Sequence, residues 1–182
     1  ITLCLTTLLL CPSASAHGVF WQLQDNNLVL MEGHQPGHGH DDSPAVPLES
    51  AWVKTLLIAK QTPDKTPTWD PLPLGTTITI PASTALSLTI LDWGWWTKNT
   101  EGTHHQHPDQ VAAPLQAWYS KETIKHITTW LPGAEKPAGE AFEISPQSNP
   151  LEKHEGDKIT LQVTLDGVPI AEAVVTYQGQ VR

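Results

Sequence analysis

The sequence predicts an all-β protein built as a β-sandwich, and three observations carry that expectation. Apolar and polar residues alternate along most of the chain, the period of half-buried strands. The alternating runs are short and carry β-branched Val, Ile and Thr. Proline recurs too often for long helices, with 16 prolines in 182 residues.

The elements follow in order. "ITLCLTTLLLCPSASA" (1–16) is apolar, shorter than the ~20 residues a spanning helix needs, and ends in A-x-A. It reads as a secretory signal peptide cut after Ala16. Its charged start is missing and the first residue is Ile1, so it reads as incomplete at the N-terminus. Both cysteines, Cys4 and Cys11, lie inside it. The mature chain then has no disulfide and no thiolate metal site. About 165 mature residues suffice for one domain, or one and part of another.

Strands are expected at "NLVLM" (27–31), "AWVKTLLIA" (51–59), "TTITI" (76–80) and "ALSLTIL" (85–91). "PLQAWYSKETIKHITTW" (114–130) is the one helix candidate, with Leu115, Trp118, Tyr119, Ile124, Ile127 and Trp130 forming a rough helical stripe. "GAEKPAGE" (133–140) marks a boundary before a second β unit of "AFEIS" (141–145), "KITLQVTL" (158–165) and "AEAVVTY" (171–177). Asp166-Gly167 is a hairpin signal between the last two. Segments 33–50, 60–75 and 99–113 read as loops. The organisation is a signal peptide at 1–16, a domain at 17–140 and a second β unit at 141–182. That unit is too short to close a sandwich core alone, so it reads as truncated.

The formal charge is -9, and every charged residue lies after Ala16. An acidic surface argues against nucleic acid, which needs Lys and Arg, and favours cations. No second long apolar run follows, so the mature chain is not expected to span a membrane. Nine histidines stand against ten Lys plus Arg. They form three groups: His17 at the new N-terminus; His34, His38 and His40 in "GHQPGHGHDD"; and His104, His105 and His107 in "THHQHPD". Cleavage after Ala16 would give His17 two donors for one ion, its α-amine and its ring. Their pKa values near 8 and 6.5 leave both easily deprotonated at neutral pH. His38 and His40, like His105 and His107, are two apart, so on an extended backbone they point to one side. Imidazole suits Ni, Co, Cu and Zn, and Asp41, Asp42 and Asp109 could orient the rings. The plainer reading of 34–42 and 104–107 is a polar surface loop with weak metal affinity. His126 reads as a packed core histidine and His154 as a turn residue. "LDWGWWTK" (91–98) holds three of the eight tryptophans. It reads as core plus packed edge, or as the wall of a metal pocket.

No G-x-S-x-G, H-E-x-x-H, P-loop or G-x-G-x-x-G occurs. A non-catalytic role is therefore expected.

These features in this order resemble the DUF4198 family, described as a periplasmic component of cobalt or nickel uptake. The matching residues are the signal peptide before His17, "VFW", "LVLMEGH", "LDWGWWTKNTEG", "WYSKETIKHITTW" and "FEISPQSNPLEKHEGDKITLQVTLDGVPIAEAVV". The last block resembles the family's junction into an Ig-like C-terminal domain, which normally continues past the point where this chain stops. The resemblance implies a secreted or periplasmic β-sandwich that binds Ni²⁺ or Co²⁺ beside an inner-membrane transporter, with His17 and His34 as the best-placed ligands. "GHGH" and "THHQH" are richer in histidine than that family requires. The alternatives are a carrier of Cu²⁺ or Zn²⁺, a copper histidine-brace oxidase like lytic polysaccharide monooxygenases, and a structural sandwich with incidental histidines.

Overall fold

The computed structural model describes residues 18–33, 44–61, 67–154, 156–177 and 180–181. The segment 1–16, expected as a signal peptide, and His17, His34, His38 and His40 lie outside the described residues. In chain order the strands are β1 Gly18–Gln24, β2 Asn27–Gly33, β3 Val46–Pro47, β4 Val53–Gln61 and β5 Pro67–Pro71. Next come β6 Thr79–Pro81, β7 Leu86–Lys98, β8 Thr103–His104 and β9 Gln116–Ile127. The chain ends with β10 Phe142–Pro146, β11 Leu161–Leu165, β12 Val168–Pro169, β13 Thr176–Tyr177 and β14 Gln180–Val181. Every pairing is antiparallel. The described helical turns are 3₁₀ turns of three residues. The protein is all-β, as its alternation predicts.

Two sheets make the main sandwich. In the first, β2 is flanked by β1 on one side and by β3 and β6 on the other. In the second, β7 is flanked by β9 along its whole length, and by β4 and β8 on its other edge. Inward side chains of both sheets fill one core: Leu28, Leu30 and Ile80 from the first, Val53, Leu56 and Leu91 from the second, with Leu48 and Ile78 beside them. Leu30, Ile78 and Leu91 are at most 1% exposed. This interdigitation of two inner faces is what a sandwich needs.

The stretch expected as a helix is β9. It pairs residue by residue with β7 from Ile127↔Leu86 to Gln116↔Lys98. Its Thr, Ile, Trp and Tyr are strand formers, and a 13-residue partner offers cross-strand pairs along its whole length. The rough helical stripe was an accident of spacing. Its alternate residues serve two faces. Ile124 packs on the main core, whereas Ile127 joins a smaller cluster around Leu86 and Leu131.

The second β unit is a small sheet in the order β10–β11–β12. Its hairpin turns at Asp166-Gly167 as expected. Leu165 faces Val168, and both turn residues have positive φ, 50° and 75°, the requirement of a type I′ turn. The returning strand is Val168–Pro169, not the 171–177 run; only Thr176–Tyr177 of that run is strand, paired with β14. Pro169 ends the ladder because it has no N–H to donate. Short strands also occur inside the expected loops, β3 in 33–50, β5 in 60–75 and β8 in 99–113.

Candidate functional site

The first site is an aromatic–histidine cluster around a bulge in β7. The β7–β9 register slips between Asp92 and Gly94, so Trp93 is the extra residue. Gly94 adopts φ 70°, a conformation L side chains resist. The Asp92 carboxylate accepts a bond from the Gly94 N–H at 3.1 Å and tightens the turn. Because side chains alternate along a strand, one extra residue reverses the alternation beyond it. Trp93 and Trp96 therefore share the inner face, while Trp95 joins Tyr119 outside.

The loop 99–110 lays its histidines on these tryptophans. The His105 ring lies between Trp96, stacked at 4.6 Å, and Trp52, tilted at 4.9 Å. Its Nε2 hydrogen-bonds the Trp93 carbonyl. A carbonyl only accepts, so Nε2 donates in this bond. His104 Nε2 lies 3.0 Å from Asn99 Oδ1, which also accepts from the Glu101 and Gly102 N–H groups. Asn99 Nδ2 donates to the Ala112 carbonyl, fixing the amide's orientation. His107 packs edge-on against Trp95 at 5.0 Å, and its Nδ1 accepts from the Asp109 N–H. The Asp109 carboxylate lies 3.3 Å from that same nitrogen.

His105 and His107 were expected on one side by their spacing. They pack instead against tryptophans of opposite faces, because Trp95 and Trp96 alternate and residues 105–107 are not an extended strand. Among the described residues, no group of three or more His, Asp and Glu side chains is placed to hold a metal ion. His104, His105 and His107 thus do not form such a site by themselves. Each has one ring nitrogen engaged by a neighbour.

Two carboxylates near the bulge escaped the sequence reading. Glu122 accepts from Trp93 Nε1 at 3.3 Å, and burial pushes its pKa up despite that bond. Asp92 accepts from the Tyr119 hydroxyl at 2.6 Å, which lowers its pKa, with further help from Gly94, Lys121 and Lys54. Glu122 meets Trp93 across 29 residues and Asp92 meets Tyr119 across 27, so neither of these pairings is visible locally. Asn99 did carry a signal, since "NTEG" is an Asx-turn sequence. His126 lies beside Trp21 as the core histidine its setting predicted. Burial lowers its pKa.

The second site is the free end of the β1–β2 hairpin. The ladder runs from Gln24↔Asn27 to Gly18↔Gly33. Gly33 has φ 136°, and a Cβ there would meet the Ala45 Cα at 2.9 Å. The last residue of β2 and the residue entering β3 therefore touch. The described ends of the 34–43 segment lie side by side at this end of the sheet, next to Gly18.

An antiparallel sandwich with an ordered Trp–His cluster defines the class of the protein. The family model for a domain of unknown function, DUF4198, matches residues 14–181, and the chain belongs to that family. No curated protein and no solved structure matches it. Among the described residues no helix is long and apolar enough to cross a membrane.

Proposed function

We propose that the protein is a periplasmic or secreted nickel- or cobalt-binding protein that delivers or senses the ion for a membrane uptake system. The observation that carries this reading is the Gly18↔Gly33 pair. The residues covalently joined to His17 and His34 face each other, and Ala45 lies against Gly33 at the same end. This pairing supports reading His17 and His34, each one residue beyond it in the chain, as ligands of one ion. The donor set is imidazole without thiolate, which suits Ni²⁺ and Co²⁺ and also Cu²⁺ and Zn²⁺. The charge of -9 favours cation approach. The ion is cargo, and the binding is reversible by protonation: affinity falls as pH drops through about 6.5, where imidazole gains its proton.

The test is calorimetric titration of the chain beginning at His17 with Ni²⁺, Co²⁺, Cu²⁺ and Zn²⁺, beside a version with one extra N-terminal Ala and a His34→Ala variant. Tight Ni²⁺ or Co²⁺ binding weakened by both changes is expected. Weak binding indifferent to both would defeat the reading. Preference for Cu²⁺ with ascorbate-dependent peroxide formation would move it to a copper oxidase.

A further inference from the structure

We propose that the cleft between the outer face of β4–β7–β9 and the β10–β11 hairpin binds a small organic carboxylate with an apolar tail. The cleft encloses about 270 Å³, just under the roughly 300 Å³ at which drug-sized ligand pockets begin, so it suits a small ligand. Its polar wall carries Lys54 and Lys121, with Thr55 and Thr123. Its apolar wall is Ile90, Phe142 and Leu165.

Strand geometry explains the convergence. Ile90 pairs with Thr55 on one side and Thr123 on the other, so the three project together. Lys121 is two residues before Thr123 on the same face. Lys54 sits in the β4 irregularity between Val53 and Thr55 and turns toward the same edge. Both ammoniums act on one carboxylate, Asp92, which places them in a single electrostatic neighbourhood. Neither is tightly engaged there. Lys54 reaches Asp92 only at 3.9 Å, and Lys121 lies over the Tyr119 ring at 5.5 Å. The next lysine on that face, Lys125, is engaged by Glu143 at 3.1 Å.

Two ammoniums and two hydroxyls present donors to an acceptor-only group, which is what a carboxylate is. In a chain of charge -9 a site for an anion needs such local cations. Phosphate or acetate would use the donors and leave the apolar wall bare. Phe142 and Leu165 face each other across the β10–β11 ladder and are 43% and 50% exposed. An apolar tail would cover both. Among the described residues lining the cleft, Glu140 is the carboxylate that opposes an anion.

The experiment is calorimetric titration of the full chain with hexanoate, hexanamide and acetate at equal ionic strength. Saturable hexanoate binding is expected, with acetate and hexanamide each about tenfold weaker, the loss of one such interaction. Lys54→Met with Lys121→Met should remove hexanoate binding, Lys54→Arg with Lys121→Arg should retain it, and Glu140→Gln should tighten it. Thermal melts of each variant confirm an unchanged fold. Hexanamide binding as tightly as hexanoate, Met variants binding unchanged, or no saturable hexanoate binding would each overturn the proposal.

Discussion

Around Leu30 the protein is held by hydrocarbon, and around Glu143 by charge and backbone dipoles. The main sandwich buries Leu28, Leu30, Leu48, Val53, Leu56, Ile78, Ile80 and Leu91 in one cluster. The β10–β12 sheet buries Glu143, Ser145 and Thr164, with Val163 as its buried aliphatic, and leaves Phe142, Ile144, Leu161 and Leu165 at least 39% exposed. Its attachment is a polar clamp. The Glu143 carboxylate accepts from the backbone N–H groups of Ala138, Gly139 and Glu140 at 2.8–2.9 Å. It also meets Lys125 at 3.1 Å, and Lys125 donates to Ser145 at 2.7 Å. A three-stranded sheet without a core of its own can be fixed in place by one fully satisfied buried charge.

That contrast can be broken from either side. The largest effect is expected from Leu30→Ala, which opens a cavity in the shared core and costs about 4 kcal/mol. Denaturant melts followed by tryptophan fluorescence would show a lower midpoint with an unchanged slope. Glu143→Gln should cost about 3 kcal/mol by leaving the Lys125 ammonium buried and unpaired. Here hydrogen exchange should accelerate over 138–146 and 161–165 while the Leu30 core stays protected. Uniform acceleration would show that the two regions unfold as one. The double variant Lys125→Met, Glu143→Gln should recover part of the loss, because it removes the unpaired ammonium and keeps an amide oxygen for the backbone N–H groups.

Acid should separate the regions by pH. Burial alone would raise the pKa of Glu143, but the Ala138 and Glu140 N–H bonds and Lys125 outweigh it, and the pKa is lowered. A depressed carboxylate contributes stability above its unfolded value, about 4.3, and loses it as pH falls through the folded value. His126 is lowered by burial in the main sandwich. The unfolded chain therefore binds the extra proton below about 6.5, and stability falls there first. Two stages are expected in a pH series of melts, and His126→Gln should remove only the upper one. The smallest effect is a gain. Glu122 has a raised pKa from burial, so its ionised form is disfavoured in the fold. Glu122→Gln keeps an acceptor for Trp93 Nε1 and should raise Tm by about 2 °C at pH 7. The gain should vanish below about pH 4, where the unfolded carboxyl is protonated too.

The parts legible in the sequence were those with local causes. Alternation in "NLVLM" and "ALSLTIL" marked the strands of the core, and Asp166-Gly167 marked its turn. β9 was not legible, because Trp118, Tyr119, Ile124 and Ile127 fit either period until β7 supplies a partner. The Glu143 clamp was invisible too: "AFEIS" shows a strand, and nothing near it names Lys125. The histidines were found by their density, but spacing alone could not foresee that Trp95 and Trp96 would draw His107 and His105 to opposite faces.

The bulge at Gly94 works like a parity bit. The letters W-G-W-W are read in one phase before it and in the other phase after it. Which tryptophan looks inward is thus written in a single backbone angle and not in the tryptophans themselves. A residue at position 94 that refuses φ 70° would invite the ladder to slip by one. Trp95 and Trp96 would trade places, and His105 and His107 would each meet the other's tryptophan without a single change to the loop.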